Sequence, residues 1–159
     1  MSLRHLGTYL NDHLASASIL LEILDHLASE TSDLSSALTT LRTDIETDRQ
    51  QLATLMARLH IPESRVRKAG TWLAEQVSEA KLELDDDENG PLRRLERLET
   101  LAVEIDGKVA LWRALNVAPA SDKQLGNVDY ELFAKRGEEQ RTQVEVWRLE
   151  AARAALITI

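Results

Sequence analysis

Two runs of apolar residues, spaced alternately three and four apart, constrain this chain more than any other feature. The first comprises Leu3, Leu6, Leu10, His13, Ala17, Leu20, Leu24 and Leu27; the second comprises Leu34, Leu38, Leu41, Ile45, Asp48, Leu52, Leu55 and Leu59. A mean spacing of 3.5 residues keeps one seam facing a neighbour, so each run predicts a long helix packed nearly in line with another. Thr31, Ser32 and Asp33 supply a turn and an N-cap between the two. So short a turn makes the helices antiparallel, with facing residues whose numbers sum to about 61 or 62. Leu27 then meets Leu34, Leu24 meets Leu38, Leu20 meets Leu41, Ala17 meets Ile45 and Leu10 meets Leu52. One rung is polar on both sides: His13 faces Asp48.

The rest of the chain continues in helices. The spacing predicts segments at about 3–29, 33–60, 62–84, 91–116 and 127–156, in a single domain spanning 1–159. Pro62 and Pro91 fit first turns, where a missing N–H costs nothing. Only three prolines and six glycines occur, and an aromatic content of 4% argues against a β-sandwich. The fourth segment carries Leu95, Leu98, Ala102, Ile105, Val109 and Trp112 as its stripe; the fifth carries Phe133, Gly137, Gln140, Val144, Trp147, Ala151 and Ala154. Folding these two about residue 122 sets Gly107 opposite Gly137, a place where backbones could approach closely. If successive helices run up and down, His13, Asp48, Asp106 and Gln140 fall near one interior level.

Charge and composition exclude several function classes. A net charge of −8 disfavours nucleic acid, whose phosphates require a basic surface. Without cysteine there is no disulfide, thiolate metal site or thiol nucleophile. No run of 18 apolar residues and no apolar N-terminal signal is present, so a cytoplasmic protein away from membranes is expected.

Two long antiparallel helix pairs joined by a long crossover resemble the ferritin-like superfamily, with the third segment lodged in the crossover. The stretch from Ile45 through Glu46, Asp48 and Arg49 to Leu52 is similar to the second-helix E-x-x-H segment of that family. Glu138, Glu139, Gln140, Arg141 and Thr142 are similar to its last-helix counterpart. The resemblance implies an all-α, antiparallel four-helix bundle with one additional helix. It also implies a di-iron centre, which needs a Glu from each of two helices and an E-x-x-H from each of the others. Here Glu46 is followed three residues on by Arg49, and Glu138 by Arg141. No histidine occurs after His60. The expectation is a degenerate member with no cofactor and no di-iron chemistry.

Three groups of residues are candidates for function. His13 and Asp48 read either as a satisfied polar rung that fixes helix register, or, with Asp106 and Gln140, as a small pocket for a ligand or divalent ion. Asp85, Asp87, Asn89, Gly90 and Glu96 match the D-x-[DN]-x-[DN]-G-x5-E spacing of the EF-hand calcium loop, with carboxylates at alternating positions and a glycine at the sharp turn. Against calcium, Pro91 follows the glycine, no second loop pairs with this one, and a charged cap on the next helix explains the same residues. Trp72, Trp112 and Trp147 read as core anchors. Leu21, Leu101 and Leu111 lie beside the stripes and are left over. They motivate the expected function: a non-catalytic bundle that binds a protein partner or a second copy of itself. The alternative is a metal-binding or metal-dependent protein using the His13 level.

Overall fold

The computed structural model describes residues 3–64, 90–118 and 125–157. Among these residues there are four long helices and no strand: α1 (Leu3–Glu30), α2 (Ser35–Arg58), α3 (Pro91–Val117) and α4 (Tyr130–Leu156). The helix expected at 62–84 falls, beyond Ser64, outside the described residues; Pro62, Glu63 and Ser64 are not helical.

Local chemistry sets the helix ends. The expected cap at Thr31–Asp33 is not made: Leu34 is the N-cap of α2 and bears no capping side chain. Thr31 instead donates its hydroxyl back to the Leu27 carbonyl, satisfying an orphan acceptor at the end of α1. α4 starts at Tyr130 rather than at Asn127, because the Asp129 carboxylate accepts from the Leu132 N–H and fixes the cap there. α2 closes with a Schellman motif. Ile61 N–H bonds the Met56 carbonyl at 2.9 Å and His60 N–H bonds that of Ala57 at 3.1 Å, while His60 takes a φ of 55°. Ile61 and Met56 are buried together beneath that turn. A side chain at positive φ is strained, so His60→Gly is expected to raise stability by about 0.5–1 kcal/mol in urea unfolding. A β-branched residue there is expected to lower it.

Packing follows the stripes. Leu10, Leu20, Leu24, Leu27, Leu38, Leu41, Ile45, Leu52 and Leu55 are all buried, as the three-four spacing requires. The late part of α1 meets the early part of α2 at Asp25 and Arg42, 2.6 Å apart. The early part of α1 meets the exit of α2. A Cβ added at Gly7 would touch Ile61, and the Asn11 amide donates to Pro62 O and accepts from Ser64 N–H. These contacts involve the long Arg42 side chain and residues beyond the end of α2, and they set the two ends of α1 beside the opposite ends of α2. Contacts between α3 and α4 descend one helix as they ascend the other: Glu99 with Arg148, Asp106 with Arg141, Val109 with Gly137 and Trp112 with Phe133. Gly137 faces Val109, not Gly107. A Cβ at Gly137 would lie 2.6 Å from Val109 Cγ2, so the close approach needs glycine on one side only.

α3 buries more than the single stripe expected. Leu101, Glu104, Lys108, Leu111 and Leu115 form a second buried row with the same three-four spacing. Leu101 and Leu111 are therefore core residues, and Leu21 packs against the core. Leu101 and Leu111 therefore supply no surface for a partner, and Leu21 only the part left outside the core. The apolar interior divides into two clusters. One gathers Leu20, Leu24, Leu38, Leu41, Leu98, Ile105 and Trp147; the other gathers Leu10, Leu52, Leu55, Met56, Trp112 and Tyr130. A layer of polar side chains lies between them.

Candidate functional site

The centre of that layer is Asp48, on the buried face of α2, where the sequence places it among leucines. Its side chain is 2% exposed. A carboxylate buried this deeply requires compensation, and two cations provide it. Lys108 Nζ, from α3, lies 2.6 Å from Asp48 Oδ2; Arg136, from α4, donates to the other oxygen. The Lys108 ammonium also donates to Gln140 Oε1 on α4. Burial pushes the Lys108 pKa down, and the Asp48 carboxylate opposes that shift. Arg136 is held from its other side by the Phe133 ring, 5.0 Å from the guanidinium carbon. Three helices are thus tied to one carboxylate.

A second polar contact sits one turn away on α3. Glu104 is buried and accepts from the Ser16 hydroxyl of α1. Burial pushes its pKa up, and the Ser16 hydrogen bond works against that. His13 is half-buried, with its ring edge-on to Tyr9 at 4.6 Å. Burial lowers its pKa, partly offset by Asp12.

These two shifts make opposite contributions to stability against pH. Glu104 binds its proton more tightly folded than unfolded, so its contribution falls as pH rises above 4.5. His13 binds its proton less tightly when folded, so its contribution falls as pH drops below 6.5. Glu104→Gln, which still accepts from Ser16, is expected to raise stability at neutral pH. His13→Gln is expected to remove the loss on acidification below 6.5. Urea midpoints measured between pH 4 and 8, a range set by the ordinary values of the two groups, check both.

The four residues assigned to one level divide as follows. Asp48 and Gln140 are buried and joined through Lys108. His13 shares a cavity of ≈ 20 Å³ with Asp48, Ser16, Lys108 and Trp112, but the imidazole does not pair with Asp48. The long lysine stem reaches the carboxylate from α3 and takes the position assigned to the ring. Asp106 does not belong to the level. It is 62% exposed and bonds Arg141 at 3.2 Å, because the inward row of α3 passes through 104 and 108. Of the calcium-loop residues, Asp85, Asp87 and Asn89 fall outside the described residues; Gly90 is the N-cap of α3, and Glu96 lies within α3. Trp112 and Trp147 are core anchors, as expected, and Trp72 is outside the described residues.

Sequence reasoning missed Lys108, Arg136, Glu104 and Ser16. A signal for two of them was present: Leu101, Leu111 and Leu115 bracket 104 and 108 at core spacing. Among the described residues no group of three or more His, Asp or Glu side chains converges as a metal site would need, and no helix is long and apolar enough to cross a membrane. Comparison with protein-family models, with curated proteins and with solved structures returned no match.

Proposed function

We propose that this chain is a non-catalytic bundle of ferritin-like, antiparallel topology, in which its own lysine supplies the interior cation and which works through its surface by binding a second protein molecule. The topology is supported by the helix contacts. α2 ends beside the first turns of α1, whereas α3 begins beside its last, through Arg97 and Glu30. The end of α2 and the start of α3 thus lie by opposite ends of α1, as the two helices flanking a long crossover do.

The observation that carries the reading is Lys108 Nζ, 2.6 Å from Asp48. An ammonium and a guanidinium occupy both oxygens of the one fully buried aspartate among the described residues. The two glutamates that stand where the family's motifs begin are turned elsewhere: Glu46 pairs with Arg49, and Glu138 with Arg113 at the exposed surface. A cation at this level would have to displace Lys108 and meet Arg136 as a like charge.

Calorimetric titration with ferrous iron, manganese and zinc tests this. No stoichiometric binding, in the native chain or in Asp48→Asn, is the expected result. Binding of one or two ions that Asp48→Asn abolishes would sink the proposal and establish the metal-binding alternative. A separate calcium titration tests Asp85, Asp87, Asn89 and Glu96, where no heat of binding is expected.

A further inference from the structure

α4 buries Gly137, Val144, Trp147 and Ala151 on one side. At 100° per residue, Glu139, Val146 and Arg153 point within about 20° of a single direction, away from that side. All three are exposed, Val146 at 54%. Leu149, 44% exposed, and Leu132, 57% exposed, flank the same outward face, and Ile157 follows one turn beyond Arg153. Scattered exposed apolar residues need no explanation, but these share one face of one helix. The charges beside them are ordered. Glu139 stands seven residues before Val146 and Arg153 seven residues after it, and among the described residues neither has an ion pair.

We propose that the outer face of α4 is the contact between two copies of this chain, related by a two-fold axis through Val146. Such an axis sets the two α4 helices antiparallel. It brings Val146 against Val146, Leu149 against Gln143, and each Glu139 against Arg153 of the other copy. The sequence is self-complementary in the sense that an isologous interface requires: one patch serves both sides, and both ion pairs form at once. A different protein would gain both pairs only by carrying the same reversed order of charges. Lys135, opposite Ile157, covers that residue with its aliphatic stem. Two helix faces bury little area, so the dimer is of the weak class. This deepens the proposal that the chain works through its surface. Its failure would leave the Lys108–Asp48 reading, tested by metal titration, untouched.

Sedimentation of the full chain up to about 1 mM, where weak dimers are populated, is the test. A concentration-dependent monomer–dimer equilibrium is expected, weakened by added salt. Val146→Glu is expected to reduce association by about tenfold or more, through two like charges at the axis. Glu139→Arg alone and Arg153→Glu alone are each expected to weaken it, and the two together to restore it, because both ion pairs return with reversed sign. Circular dichroism confirms that each outward-facing variant keeps its helices. A native chain that stays monomeric throughout, a Val146→Glu variant that dimerises like the native chain, or a charge swap that fails to restore association would each overturn the proposal.

Discussion

Asp48→Ala is expected to cost the fold about 3–5 kcal/mol, read from the midpoint of urea unfolding with an unchanged slope. The penalty arises less from the lost carboxylate than from what it leaves behind. Lys108 is 8% exposed and cannot carry its ammonium to water without breaking the α3 packing on both sides of it. Arg136 is 29% exposed and can turn outward, so the loss falls on the lysine. Removing both charges separates the contributions. Asp48→Leu combined with Lys108→Met keeps the volume and is expected to recover most of the loss, because a buried ion pair and a well-packed apolar pair are often nearly equal in stability. A single alanine variant that loses less than about 1 kcal/mol would show that the cluster is more hydrated than its burial indicates.

Trp112→Ala is the second large effect, at about 3–5 kcal/mol. This indole is 1% exposed, lies 4.9 Å from the Phe133 ring and is stacked on Tyr130 at 6.1 Å, closing the cluster of Leu10, Leu52 and Met56 against α4. Its removal opens a cavity that helices tied at Asp48 cannot collapse. Trp112→Phe is expected to lose much less, under about 1.5 kcal/mol. The buried indole N–H has no hydrogen-bond partner among the described residues, so phenylalanine gives up volume without giving up a bond to them. Near-ultraviolet circular dichroism alongside urea unfolding distinguishes the two variants. Equal losses would mean that the N–H is satisfied after all.

The parts of this architecture that rest on period were legible in the sequence. The leucine ladders of α1 and α2 give their spans to within a few residues, since an apolar row at 3.5-residue spacing has few other uses. Asp48 was recognisable as an interior group for the same reason: it interrupts such a row. Its partner was not. Counting turns brought His13 to the right level, and the imidazole does share a cavity with Asp48, but level alone does not decide which of several donors reaches an oxygen. Lys108 wins because four methylenes carry its charge across the helix interface, and a lysine among alternating charges reads as surface until its neighbours at 101, 111 and 115 are counted with it. Asp106 was misplaced by the same oversight, since a helix with two buried rows turns its polar face away from where one row would put it. Capping was also only partly readable. Asp129 caps α4 as its residue type suggests, whereas Thr31, equally suited by type, bonds back to α1.

One carboxylate on α2 answers a cation on α3 and another on α4, and this bears on how the molecule comes apart. Were the chain cut between its halves, Lys108 and Arg136 would lose the carboxylate they share, and the inner faces of both halves would be laid open to water. Neither half would then keep either apolar cluster, since both clusters draw on all four helices. Unfolding should accordingly be all-or-none, without a stage in which one pair of helices outlives the other.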